Sequence, residues 1–157
     1  MNIIKTIYAL PIYHFHTDDQ CGESYVEIVY NGKVYKGFAQ LHPQDAEFYS
    51  PRVGKAIALS KARMSLIKDR IQQAKKIAEI KYQLYQEVIG YGQKAPAEVD
   101  PTGAFLRNVI RAQANVRNLK TALKKERESL KNYLTGYSKA TASVRKLRES
   151  RAQDSHC

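Results

Sequence analysis

The longest pattern in the chain is an apolar seam at heptad spacing that begins at Phe105. It runs through Val109, Ala112, Val116, Leu119, Leu123, Glu126, Leu130, Tyr133, Tyr137, Ala140, Val144 and Leu147, with Glu126 its only charged member. A one-sided stripe of this kind cannot leave water on its own, so it predicts a partner helix. A second seam supplies one: Val53, Ile57, Met64, Ile67, Ile71, Ala74, Ala78, Tyr85 and Val88, interrupted by Ser60 and Lys81. Beside it lies another apolar set, Leu59, Leu66, Ile77, Ile80 and Leu84.

Capping signals bound both helices. Ser50-Pro51 is a hydroxyl cap followed by proline at the first helical position, and Gly90-Tyr91-Gly92 is a stop, which predicts a helix over 50–89. Asp100-Pro101 repeats the opening, so a second helix is expected over 101–150, with a bend or break at Gly136. The short polar connection through Pro96 makes the pair an antiparallel helical hairpin.

Period-two patterning occupies the start of the chain. Ile3 to Phe15 is rich in β-formers but interrupted by Pro11, which fits an edge strand or an extended arm. Asp18 to Gly22 is a loop. Tyr25–Tyr30 and Lys33–Ala39 flank Asn31-Gly32, the signature of a two-residue type I′ hairpin. Counting from that turn pairs Val29 with Val34, Glu27 with Lys36 and Tyr25 with Phe38 on one face, and Ile28 with Tyr35 on the other. The expected fold is α+β: a small antiparallel sheet over 1–49, then a long helical hairpin over 50–157, forming one continuous unit. Two broad stripes together with Tyr82, Tyr85, Tyr133 and Tyr137 exceed the needs of one hairpin, so a homo-oligomer is expected.

Charge changes this picture from architecture to function. The 157 residues carry a formal net charge of +11. Residues 1–50 hold three Lys/Arg against six Asp/Glu, 51–102 ten against five, and 103–157 thirteen against four. With Val109 at heptad position a, Arg111, Arg117, Lys124, Lys125, Lys131, Lys139, Arg145 and Lys146 all fall at b or c, away from the seam. The back of an ordinary coiled coil mixes both signs, whereas here only Glu128 and Glu149 intrude. A row of cations about 50 Å long at helical rise points to a polyanionic partner, either nucleic acid or an acidic protein surface. Helix-turn-helix, zinc-finger, RNP and GxxG patterns are absent, so base-specific readout is not expected.

Catalytic signatures are absent too: there is no triad, glycine-rich phosphate loop, paired-carboxylate motif or calcium loop, so no enzyme activity is expected. His14 and His16 would share one face of a strand near Asp18, Asp19 and Cys21, but the spacing matches no zinc signature. Neither a metal nor a cofactor is expected. Two cysteines make no disulfide framework, and no apolar run reaches membrane-spanning length, which fits a cytoplasmic protein without membrane contact.

One stretch carries a resemblance. It comprises Gly37-Phe38-Ala39, then His42-Pro43-Gln44-Asp45, then Gly54, Ile57-Ala58 and Lys61-Ala62-Arg63. Over residues 25–65 this resembles small proteins of unassigned function from phages and prophages of low-GC Gram-positive bacteria. They share a Gly-x-Ala strand, a His/Ser-Pro-x-Asp turn and a Gly-x-x-Ile-Ala…Arg helix start; Met64 stands where their pattern has alanine. The resemblance implies an accessory phage protein acting in the bacterial host cytoplasm, such as an anti-CRISPR-like inhibitor of a nucleic-acid-directed defence complex. Its alternatives are a self-associating coiled-coil protein and an anti-defence oligomer that sequesters a small ligand near His42, Asp45 and Arg63. A plainer reading of the motif is structural: Gly37, Gly54 and Ala58 allow a helix to approach the sheet closely.

Overall fold

The computed structural model describes residues 11–18, 21–40, 48, 50–92 and 103–154. A three-stranded antiparallel sheet of order β1-β2-β3 (Ile12–Asp18, Glu23–Tyr30, Lys33–Gln40) precedes two helices, α1 (Pro51–Gly92) and α2 (Ala104–Asp154). The fold is α+β, as the patterning predicts. The residues pack as two units, one comprising Met1–Ser65 with Glu126–Cys157, the other Leu66–Lys125.

The β2–β3 register matches the count from the turn, pairing Val29 with Val34, Glu27 with Lys36 and Ile28 with Tyr35. Asn31 and Gly32 take φ values of 49° and 72°, the left-handed pair that a type I′ turn requires. Strand β1 begins immediately after Pro11 and continues through both histidines, so the proline sets its start. The expected strand residues before Pro11 lie outside the described residues.

Alternation divides the sheet into two faces. Ser24, Val26 and Ile28 of β2, with Tyr35, Gly37 and Ala39 of β3, are buried and face α1. The approach is close because Gly37 lacks a side chain: a Cβ there would collide with the backbone at Ala58 and Ala62 of α1. Gly54 similarly lies against Ser24. Ala58 and Ala62 are fully buried and complete the contact. One helix about 10 Å wide spans two strands spaced about 4.8 Å apart. Tyr13 and Phe15 of β1 therefore stay largely exposed, with their rings stacked 6.4 Å apart. Lys61 of α1 reaches back to donate a 2.8 Å hydrogen bond to the Phe38 carbonyl on β3, which blunts an open strand edge.

Ser24 is fully buried and its hydroxyl has no hydrogen-bond partner among the described residues. An unsatisfied buried hydroxyl costs about 1–3 kcal/mol. Ser24→Ala is accordingly expected to leave stability unchanged or raise it by about 1 kcal/mol in chemical denaturation; a loss of that size would show that the hydroxyl is satisfied.

Outside the core, the predicted Glu27–Lys36 pair forms at 3.3 Å, and the Tyr25 hydroxyl donates to the same carboxylate at 3.0 Å. That hydroxyl, and then Lys36, hold the Glu27 carboxyl below its ordinary range. Its contribution is present above the ordinary carboxylate pKa and is lost as pH falls through the lowered value. The pair is open to solvent, so it supports register more than stability.

Both helices outrun their predicted ends. Helix α1 opens where the Ser50 carbonyl accepts from the amides of Val53 and Gly54, and it continues to Gly92. Gly103, at φ 62°, precedes α2, and its carbonyl accepts from Arg107. The expected Asp100-Pro101 opening lies outside the described residues. Gly136 is helical and faces open space, and α2 continues through it rather than breaking.

Seam positions on α1 are buried or half-buried in each unit, including the two polar interruptions, Ser60 and Lys81. On α2 the Leu66–Lys125 unit leaves Phe105, where the predicted seam begins, 45% exposed near the helix start, but buries Val109 and Ala112 and half-buries Val116, Leu119 and Leu123. In the other unit the heptad assignment is broken first at Tyr133, which is 42% exposed, and fails beyond Tyr137. Thr141 is buried, while Val144 and Leu147 are 38% and 60% exposed. A helix with 3.6 residues per turn drifts by about 20° per heptad against a strict seven-residue repeat. The inward line therefore passes to Thr141 and Arg145.

Candidate polyanion-binding surfaces

The unit containing the sheet joins its two polar seam exceptions. Ser60 Oγ donates a 2.7 Å hydrogen bond to Glu126 Oε1, so each interruption satisfies the other. Around them is a groove of about 200 Å³ whose lining includes Leu59, Arg63, Leu130 and Tyr133. This places Arg63 beside Glu126 in a helix–helix groove. His42 and Asp45, its expected partners in a ligand pocket, lie outside the described residues.

Removing the donor at this pair tests its weight. Ser60→Ala leaves a half-buried carboxylate without its hydroxyl partner, and hydrogen bonds to charged groups are worth about 1.5–3 kcal/mol. A destabilisation of about 1.5 kcal/mol is expected. Combining it with Glu126→Leu, which completes the seam, should recover most of that loss. Additive losses in a double-mutant denaturation cycle would mean that the two residues act independently.

Farther along α2 in this unit, the Tyr137 hydroxyl donates to the Phe48 carbonyl at 2.9 Å. Arg145 and Arg148 lie over the Phe48 ring at 5.2 and 5.5 Å. The drift of the inward face thus turns Arg145 toward its own unit, where it makes a cation–π contact. Lys131, Lys139 and Lys146 are exposed.

In the Leu66–Lys125 unit, the stripe residues Arg111, Arg117, Lys124 and Lys125 are all exposed on α2. The described residues of this unit carry eleven Lys/Arg against three Asp/Glu, the acids being Asp69, Glu79 and Glu87. A groove of about 540 Å³ runs between its helices, flanked by Lys75 of α1 and Lys120 of α2. Ala78 and Val116 line it on the apolar side, with Tyr82 and Gln113 beside them. Lys75 and Lys120 are outside the b/c row. Lys120 sits at heptad position e, next to the seam, which is where a cation can border an interhelical groove.

Other candidate chemistry is sparse. Cys21 is an exposed thiol, and the Asp18 charge, then a hydrogen bond to Asp18, push its pKa up, which disfavours the thiolate. Among the described residues no group of three or more His, Cys, Asp or Glu is placed to hold a metal ion. No described helix is long and apolar enough to cross a membrane. Comparison with known proteins finds no matching family model, no matching curated protein and no matching solved structure.

Proposed function

We propose that this protein binds nucleic acid, without catalysing a reaction, through the basic faces of its two helices. The observation that carries the reading is the charge of the Leu66–Lys125 unit, with eleven cations against three acids among its described residues. Such a surplus on exposed helix faces supports attraction to phosphates and release of their counterions on binding. The sequence offers no base-reading motif, so the binding is largely indifferent to sequence. The phage-like stretch at residues 25–65 adds a setting: an accessory protein that occupies nucleic acid, or the nucleic-acid channel of a host defence complex.

Retention on immobilised DNA and on heparin tests this reading. Strong retention at low salt that collapses between roughly 50 and 200 mM is expected. Passage through both columns at low salt would contradict it.

A second reading has its own support. Ile77, Ile80 and Leu84 on α1 are 51%, 56% and 49% exposed, an apolar row at helical spacing. Self-association through that row is favoured if the protein sediments as an oligomer and ignores polyanions.

A further inference from the structure

We infer that the groove between α1 and α2 in the Leu66–Lys125 unit is a track for one single-stranded nucleic acid, a refinement that rests on the nucleic-acid reading above. Lys75 and Lys120 flank the groove from opposite helices, so cations border it on both sides. Each belongs to a longer row. Lys68 lies seven residues before Lys75, on the same face of α1, and Arg117 and Lys124 lie within one turn of Lys120 on α2. All five are exposed. These two rails of positive charge run along their helices, and Lys75 and Lys120 are the members that line the cleft, beside the small side chains of Ala78 and Val116.

Side-chain chemistry selects the occupant, because a single strand offers unpaired base faces to a ring in the cleft whereas a duplex keeps its bases stacked inside. Tyr82 lines the same cleft, two turns beyond Lys75, and the residue is 45% exposed. An accessible tyrosine beside phosphate-binding cations is the combination by which single strands are held, the ring stacking on an unpaired base. Glu79 is the one acid in the lining, and Gln83 donates to its carboxylate at 3.3 Å. Glu79 repels phosphate locally, so with Gln113 it faces base edges while the rails take the backbone. DNA and RNA strands share this chemistry.

Fluorescence anisotropy with end-labelled oligonucleotides tests the inference on the full chain. The probes are a single-stranded DNA, a single-stranded RNA of the same sequence and the corresponding DNA duplex. At least one single strand is expected to bind about 10-fold tighter than the duplex, and comparison of the two strands identifies the preferred source. Lys75→Gln with Lys120→Gln should weaken that binding about 10-fold or more and flatten the salt slope by about 1.4, two single-strand phosphate contacts. Tyr82→Ala should weaken it about 10-fold, and Tyr82→Phe should retain it. Circular dichroism melts of these variants should match the wild type, since the substituted side chains are exposed. Lys33→Gln with Lys36→Gln, which removes two exposed cations from β3 in the other unit, should change little. Equal or tighter duplex binding, or groove variants that bind like the wild type, would overturn the groove assignment while leaving nucleic-acid binding in place. Failure of every probe to bind would overturn both.

Discussion

Gly37→Ala is expected to lower the melting temperature by roughly 10 °C and to loosen the sheet from α1. The added methyl would enter the space held by the Ala58 carbonyl oxygen and the Ala62 amide nitrogen. Both are backbone atoms of a helix, so neither can rotate away as a side chain would. Strand and helix must separate, which exposes a contact formed by Val26, Ile28, Ala58 and Ala62, each fully buried. Overpacking of a tight core costs about 1–3 kcal/mol, and a backbone-on-backbone collision belongs at the upper end. A loss of about 3 kcal/mol corresponds to a shift on the order of 10 °C for a chain of this size. Lys36→Ala, its exposed neighbour on the opposite face, is the control and should shift the melt far less. A Gly37→Ala melt within about a degree of wild type would show that the helix does not approach β3 as described.

The second large effect concerns binding. Replacing Arg117, Lys124 and Lys125 by glutamate takes the formal net charge from +11 to +5. All three are exposed, so surface substitutions of this kind should leave stability within about 0.5 kcal/mol per site. If each contacts one phosphate, the salt slope falls by about 2 to 3 and affinity at low salt drops by orders of magnitude. Repulsion from the new carboxylates adds to the lost attraction. Unchanged retention on DNA by this folded triple variant would remove the exposed face of α2 from the binding surface.

Much of this architecture is legible in the sequence because local rules agree with tertiary packing. The Asn31-Gly32 turn sets the hairpin register, and alternation then assigns Val26, Ile28 and Tyr35 to the buried face. The seam of α1 reads correctly even at Ser60. The sequence also holds Ser60 and Glu126 as the polar exceptions of two facing seams, although only the relative register of the helices shows that they meet. The far end of α2 is less legible. A strict heptad frame assigns Val144 and Leu147 inward, but a helix that is not underwound to 3.5 residues per turn carries Thr141 and Arg145 there instead.

The same limit explains the candidate surfaces. A b/c assignment finds residues that point away from a partner, such as Arg111 and Lys125. It misses Lys75 and Lys120, which border a groove only once two helices are set side by side. Arg148 escapes for a different reason: its ring partner, Phe48, is distant in sequence. Arg63 shares a groove with Glu126, while the His42 and Asp45 expected beside it from the phage-like motif lie outside the described residues.

The central claim is that these basic helix faces bind phosphate backbones, and the salt dependence of affinity measures that most directly. The dissociation constant for a single-stranded oligonucleotide should be determined between about 50 and 300 mM monovalent salt. Log K should fall linearly with log salt, with a slope of about −2 or steeper, as three or more neutralised phosphates require. A flat line, or no measurable binding at the lowest salt, would contradict it.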